Sequence, residues 1–580
     1  MKLWERFAGY NAAFFRRDLT SGLIVGVIAI PLGMAFAIAS GVSPQYGIYT
    51  TIVAGFLISL FGGSRFQIGG PTGAFVPILF AIVAQYGYEN LLVAGLLAGV
   101  LLVLMGVFRL GALIKFIPRP VTIGFTAGIA VIIFTGQIAN FLGLSHLPKH
   151  EDFLSNMGEI GTHLAATNPY SVATALICLA AILLTPKYMP KVPGSLVGLV
   201  LSSLIAAWFF DGKVATIGST YGAISSSLPA FHFPSVTFEQ IKLMIHPAIV
   251  IALLGGIESL LSAVVADGMT GTRHHSNREL IGQGIANIVA PLFGGIPATG
   301  AIARTATNIK TGAASPVSGM VHSLVVLFVL LLCAPLASAI PLASMAPILM
   351  VVAWNMSERK EFAHVLKTRT SDSGVLLLTF SLTVLTDLTT AVEVGMVLAV
   401  ILFVKRMSDL LTVAKVLPDP TVTHEKMLPH MVRDGHDCPQ IAVFTVEGAL
   451  FFGAASIFEQ RILDTLHQHP GILLLRMGKV PFMDTTGAAN LLSVVNDFQR
   501  RGGIVLISGL QPQPRDMMKR TGLACKIGEE RFFAHTGEAL SSALALLDQQ
   551  KCIGCKHFAF RECAALCVPN SHNRQLTRSE

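Results

Sequence analysis

Apolar runs long enough to cross a bilayer recur along this chain up to residue 411 and stop there. They fall near 19–39, 46–61, 71–86, 90–108, 120–143, 170–186 and 194–210. A second set lies near 246–267, 279–296, 301–313, 316–339, 341–356, 371–388 and 391–411. A helix needs about 20 apolar residues to span the hydrocarbon, so the pattern commits this part of the chain to a polytopic α-helical membrane fold. Several runs are too short to cross unaided. Composition agrees, since 13% of the 580 residues are charged and 53% are hydrophobic, roughly half the charge of a soluble chain. The formal charge of +8 calls for no nucleic-acid partner, because basic loops on the inner membrane face account for it.

Two sets of seven segments force the halves into opposite orientations. Arg109, Lys115, Arg119, Lys187, Lys191, Arg273, Arg278, Arg359, Lys360, Lys367 and Arg369 then all fall in loops on one side. The loop 144–169, with Lys149 against Glu151, Asp152 and Glu159, falls on the other. The positive-inside rule makes the first side cytoplasmic, with both termini. Residues 1–18 show no apolar core of a cleavable signal. With Trp4, Phe7, Tyr10, Phe14 and Phe15 beside Lys2, Arg6, Arg16 and Arg17, they are expected to lie along the interface as an amphipathic helix. The transport domain is expected over 19–411.

The sequence Ile68-Gly-Gly-Pro-Thr-Gly-Ala74 is echoed by Gly294-Gly-Ile-Pro-Ala-Thr-Gly-Ala301, which runs on into Ile302-Ala303-Arg304-Thr305. Both interrupt the third run of their half. Such breaks leave backbone groups without helical partners, which lipid tolerates only beside protein or a polar cavity. Paired breaks in corresponding halves are the sequence pointer to a transporter's binding site. Each half-helix would start near mid-membrane with its positive dipole end facing the cavity, an anion site without dedicated charges. The expected lining is Thr72, Gly73, Ala74, Thr299, Gly300, Ala301, Ala303, Arg304 and Thr305. Arg304 is costly at such depth and is read as a ligand; a structural cation bonding loop carbonyls is the alternative. The threonines can serve as donors or as helix caps. Glu258 sits midway along an otherwise apolar run, where an unpaired carboxylate favours its protonated form and can couple proton movement to transport. A salt bridge or packing hydrogen bond is its alternative role. For Asp387 and Glu393 a solvated outer turn suffices.

Gly26 to Tyr49, containing Ile30-Pro31-Leu32-Gly33, resembles the signature of the SulP anion transporters, the bacterial relatives of solute carrier family 26. So do Gly62-Gly-Ser-Arg65, Gly256-Ile-Glu258 through Gly271, and Ala303-Arg304-Thr305. The resemblance covers almost the whole chain. It implies a seven-plus-seven inverted repeat with core and gate domains, substrate between the third and tenth helices, and a following cytoplasmic STAS domain. It also gives the Glu258 position the coupling-ion carboxylate and implies a homodimer. Many members have Gln where this chain has Leu32, so substrate identity does not carry over there. Ile30-Pro31-Leu32 and Asp267 to His274 are most similar to the proteobacterial C4-dicarboxylate branch.

Residues 412–440, with Pro418, Pro420, Pro429 and Pro439, read as a linker. In 441–550, β-like runs at Ile441–Val446, Ile472–Leu475 and Ile504–Ile507 alternate with helical stretches Ala454–Gln468, Gly487–Arg500, Asp516–Thr521 and Gly537–Gln549, which argues a small α/β domain. Val480-Pro-Phe-Met-Asp-Thr-Thr-Gly487 resembles the phosphorylation loop of STAS domains, with Thr485 at the modified position; Asp484 and Thr485 are equally ordinary helix caps. Such a domain can also bind a cytoplasmic protein partner. In the tail, 551–580, Cys552, Cys555, Cys563 and Cys567 are spaced to hold zinc or an iron–sulfur cluster, although no cofactor is expected for transport. Cys178, Cys333, Cys438 and Cys525 are scattered, and core packing suffices for them.

The chain therefore reads as no enzyme but a secondary active transporter of sulfate, bicarbonate or a C4-dicarboxylate in the cytoplasmic (inner) membrane, coupled through Glu258. An uncoupled conductor or exchanger, or a STAS-linked anion sensor, is the other class.

Overall fold

The structure, a computed structural model, describes residues 10–112, 118–144, 147–148, 150, 152–189, 192–386, 388–415, 438–454, 458–462, 471–557, 559–560 and 562–566. The chain divides into two compact units, Met1–Ala399 and Val400–Glu580.

The first unit opens with α1 (Ala12–Ala39), α2 (Pro44–Phe61), α3 (Val76–Tyr86), α4 (Tyr88–Val107), α5 (Arg119–Gly136), α6 (Pro169–Tyr188) and α7 (Gly194–Phe209). Its second half follows as α8 (Phe238–Thr270), α9 (Ser276–Val289), α10 (Ile302–Lys310), α11 (Val317–Ser338), α12 (Leu342–Met356), α13 (Ser371–Leu385) and α14 (Leu388–Asp409), the last running past the unit boundary. The packing repeats between halves. As α1 and α2 pack on α11, so their counterparts α8 and α9 pack on α4. As α13 packs on α5, so α6 packs on α12. This is the expected seven-plus-seven architecture, with a core group (α1–α4, α8–α11) and a gate group (α5–α7, α12–α14). Close approach is through small residues, as in membrane bundles generally. Gly99 of α4, for instance, lies against the backbone of Gly284 and Ile288 on α9.

Residues 12–18 differ from the interfacial helix expected of them, because they are the first turns of α1. Asp18 is buried and accepts hydrogen bonds from Ala314 N (2.7 Å), Ser315 N (3.1 Å) and Ser315 Oγ (2.6 Å). Arg17 Nε donates to Gly312 O at 2.9 Å. These charges satisfy free backbone groups between α10 and α11, so they pull the helix into the fold. Trp4 and Phe7 lie outside the described residues. The loop carrying Asp152 holds a short helix, Phe153–Thr162, which Asp152 caps through Ser155 N at 2.8 Å.

In the second unit, β3 (Thr412–Lys415), β4 (Ile441–Glu447), β5 (Ile472–Lys479), β6 (Ile504–Ser508) and β7 (Phe532–Phe533) form one sheet in that order. The first pair is antiparallel and the others are parallel. Helices α15 (Thr485–Arg500), α16 (Pro512–Arg520) and α17 (Thr536–Ala545) accompany it. The three sequence-expected strands are β4 to β6, near-continuous apolar runs as suits a covered parallel sheet. Two strands were not expected. β3 falls inside the stretch read as linker, and β7 is two residues long; both are edge strands whose pairing comes from the neighbour. Of the expected helix Ala454–Gln468, residues 455–457 and 463–468 lie outside the described residues, as do Pro418, Pro420 and Pro429 of the linker.

Candidate functional site

The two breaks meet in the first unit. The segment β1 (Gly69–Gly70) pairs antiparallel with β2 (Thr299–Gly300), Gly69 opposite Gly300 and Gly70 opposite Thr299, and Ala301 N donates to Ile68 O at 2.8 Å. Backbone groups that neither helix can satisfy thus satisfy one another, out of contact with lipid. The crossing needs glycine. A Cβ on Gly300 would collide with the side-chain amide of Gln67. Gly70 has φ +147°, and a Cβ there would stand 2.7 Å from Arg304 Nη1. A single turn, Gly73–Phe75, leads into α3, while α10 starts directly at Ile302. Among the described residues no side chain caps either start, so the dipole ends of both half-helices stay open toward the crossing.

Two ionisable side chains reach the first break from the second half of the fold. Arg304, 3% exposed, donates through Nη2 to the carbonyl of Pro71. Its Nη1 is buried and has no partner among the described residues. Glu258, half-buried on α8, accepts a hydrogen bond from Thr72 Oγ1 at 2.9 Å. The cation and the carboxylate are therefore tied to consecutive residues, Pro71 and Thr72. The alternative reading of Arg304 as a carbonyl-bonding cation holds for Nη2, while Nη1 has no partner among the described residues.

The remaining expected residues divide. Thr299 Oγ1 donates to Gly255 O at 2.9 Å. Thr305 Oγ1 accepts from Ile68 N at 3.0 Å and from Ser262 Oγ at 3.2 Å. Both are buried, and their hydroxyls clamp α8 against the breaks. Gly73 and Ala74 are buried where α5 and α12 close on the first break, since a Cβ on Gly73 would lie 3.2 Å from both Ile133 Cδ1 and Met356 Sδ. Ala301 is buried, whereas Ala303 is exposed. A cavity of about 1060 Å³ runs from Val76 and Ile133, beside that closure, to Asp152 and Glu159 on the loop side. Leu32 lies instead on a smaller cavity of about 390 Å³, with Ile348 and Asn355.

Sequence reasoning passed over the buried polar frame. Asn287 brackets Ala298, donating to its carbonyl (2.7 Å) and accepting from its N–H (2.8 Å). Glu279 accepts from Gly63 N (2.7 Å) and Ser64 N (3.0 Å), and Gln283 donates to it (2.8 Å). Asn308 Nδ2 donates to Phe66 O (2.9 Å). His322 is wholly buried on α11. The signal was available, because Glu279, Gln283 and Asn287 stand four apart on one face of an otherwise apolar run.

In the second unit Asp484 caps α15, accepting from Gly487 N (2.7 Å) and Phe452 N (3.0 Å), and Thr485 beside it is exposed. Cys567 lies outside the described residues. Among those described, no three His, Cys, Asp or Glu side chains are already placed around a common metal position. Cys438 packs against the apolar layer that holds Cys563, the packing role expected of it.

A multi-pass membrane transporter with two broken helices crossing at a buried arginine is the class these features define. The chain belongs to the sulfate permease family, whose profile matches residues 15–379, and a STAS domain matches residues 435–539. It is 55% identical to a Bacillus subtilis (strain 168) protein provisionally named sulfate transporter YvdB, over 93% of this chain and 99% of that protein. It is 32% identical to the bicarbonate transporter BicA of Picosynechococcus sp., over 91% of this chain and 94% of that one. Among solved structures, the transmembrane domain of a cyanobacterial bicarbonate transporter BicA matches with a TM-score of 0.58 and 31% identity, over 67% of this chain and 98% of that one. The murine solute carrier 26 family member A9 shares the fold, with a TM-score of 0.82 at 18% identity over 94% of each chain. The chain is thus a multi-pass anion transporter rather than an enzyme.

Proposed function

We propose that the chain is a proton-coupled secondary transporter of a small oxyanion, sulfate or bicarbonate, bound between the two half-helix ends. The observation that carries this reading is the buried Nη1 of Arg304, without a partner among the described residues, at the crossing of the two breaks. An oxyanion there would take a charge-assisted hydrogen bond from Arg304 and the positive ends of α3 and α10. Thr72, Gly73, Ala74, Gly300, Ala301 and Ala303 would shape the site, with Thr299 and Thr305 fixing its frame.

Coupling follows from position. An anion arriving near Thr72 adds repulsion to the Glu258 carboxylate, so binding favours its protonated form; by linkage, protonation favours binding. The names of the relatives weigh toward sulfate and bicarbonate over a C4-dicarboxylate. By the loop charges, both termini face the cytoplasm, in the inner membrane of a bacterium, and the transport domain extends to about residue 411. We take the working form to be a homodimer whose STAS domain, with Thr485 exposed on it, receives cytoplasmic signals or partners. Metal at the tail thiols would serve that domain and take no part in transport.

Reconstituted vesicles with an imposed pH gradient, offered sulfate, bicarbonate, chloride and succinate separately, test the reading. Accumulation of sulfate or bicarbonate that collapses with the gradient is expected. Equal rates with and without the gradient would replace it with uncoupled exchange, and a preference for succinate would restore the dicarboxylate assignment.

A further inference from the structure

The second unit begins on a membrane helix. Residues 400–409 are the last turns of α14, and Leu411 and Val413 carry the chain directly into the apolar core of the unit. On α14 the side chains of Val400, Ile401 and Phe403 are exposed and apolar, as suits a lipid-facing surface, and Lys405 and Arg406 follow them. Cationic side chains at the end of a span lie at the interface, with their stems along the hydrocarbon boundary. Lys405 and Arg406 therefore mark the depth at which α14 leaves the acyl chains.

The loop after β4 is held at that same depth. A Cβ on Gly453 would stand 2.7 Å from Ser408 Oγ and 2.9 Å from Val404 Cγ1, so the loop lies against the turn of α14 that carries Lys405 and Arg406. One residue earlier comes Phe452, 63% exposed. Its neighbours fix it there. Leu450 is buried, Phe451 packs against the core of the unit, and Phe452 N donates to Asp484 Oδ2 at 3.0 Å. The adjoining segment adds Phe482, 47% exposed, whose carbonyl accepts from Leu450 N at 2.9 Å. Leu410 is exposed as well, and a Cβ on Gly448, at the end of β4, would stand 2.9 Å from its carbonyl. Three large apolar side chains thus stand out from the one end of the domain that α14 reaches. Such a cluster marks a surface with an apolar neighbour.

We propose that Phe452 and Phe482, with Leu410, insert into the headgroup–acyl boundary of the leaflet that α14 leaves and so anchor the STAS domain to lipid. The anchoring groups are apolar, so the acyl boundary is recognised rather than a particular headgroup. A second copy of the chain is the poorer occupant. A stable protein interface takes about 800 Å² from each partner, and three partly exposed side chains of this size offer about half of that. Lipid needs no such area and no complementary shape. The helix α14 tethers the domain at one point, and the aromatic pair supplies a second, which limits rotation of the domain about the helix. The inference concerns how the domain is seated and does not depend on which anion is carried.

The test uses the full-length protein in vesicles of phosphatidylethanolamine and phosphatidylglycerol. Phe452→benzoylphenylalanine, Phe482→benzoylphenylalanine and Leu546→benzoylphenylalanine each place a photoreactive apolar side chain at an exposed position. Leu546 is the control: it is 49% exposed and stands two residues before Asp548, whose backbone pairs with Gln440 at the opposite end of β4. Irradiation followed by mass spectrometry of the peptides should find lipid adducts at 452 and 482 at least about tenfold more often than at 546, the preference that burial of one aromatic side chain confers. Should one of the two variants fail to insert, the other carries the test alone. Cross-linked dimers at 452 or 482 in place of lipid adducts would assign the patch to a second copy. Adducts no more frequent than at 546 would leave this end of the domain in water. Either result overturns the inference.

Discussion

The first and second breaks share a sequence motif and a backbone, yet their side chains do different things. At the first, the chain offers acceptors and one hydroxyl: the Pro71 carbonyl takes Arg304, and Thr72 donates to Glu258. At the second it offers a cation, Arg304, and two hydroxyls committed to the frame through Gly255 and Ile68. The two-fold related backbone supplies a pair of opposed helix ends, which attract any anion. The departure from two-fold symmetry in the side chains supplies charge on one side only, which can orient a ligand and link it to a carboxylate. On the proposed reading, backbone symmetry builds the anion site and side-chain asymmetry sets its chemistry.

The comparison can be broken at the backbone first. Gly300→Val places a side chain on Gln67 and should leave little correctly inserted protein, because overpacking at a fixed crossing costs about 1–3 kcal/mol even where neighbours can shift. Detergent-solubilised yield and size-exclusion profile read it out; a normal monodisperse yield would show that the crossing is looser than described. Next is the charge that only the second break carries. Arg304→Gln should insert normally and raise KM for the anion about tenfold to a hundredfold, the loss of a charged hydrogen bond of about 1.5–3 kcal/mol. Transport kinetics unchanged in vesicles would remove Arg304 from the site. Thr72→Val touches the first break alone. It should cost about 1 kcal/mol, a several-fold fall in proton-driven uptake with anion exchange less affected; equal loss of both would make Thr72 a plain packing residue. The smallest effect is expected from truncation near Pro420, which should leave anion affinity unchanged and slow turnover or weaken dimerisation. Loss of binding in a correctly inserted truncation would show that the site depends on the STAS domain.

The repeat, the paired breaks and their meeting were legible because lipid leaves few alternatives: a long apolar run is a helix, and Gly and Pro inside one must be answered elsewhere in the fold. Arg304 and Glu258 stood out because charge at that depth is rare. What the sequence did not disclose is which hydroxyl points where. Thr72, Thr299 and Thr305 are the same residue type in similar contexts, and only the packing of α8 commits the latter two to the frame. Asp18 was assigned to the interface because its partners, Ala314 and Ser315, are almost three hundred residues away. Local patterns carry local structure; pairings across the chain need the fold.

Glu258→Gln tests the central claim most directly, because the amide keeps the shape of the protonated carboxyl and cannot release a proton. Two fluxes should be measured in the same vesicles: exchange of labelled anion at equilibrium, and accumulation driven by an imposed pH gradient. Exchange persisting near the wild-type rate while accumulation disappears is the predicted result. Gradient-driven accumulation at the wild-type level would contradict the account and place the coupling group elsewhere.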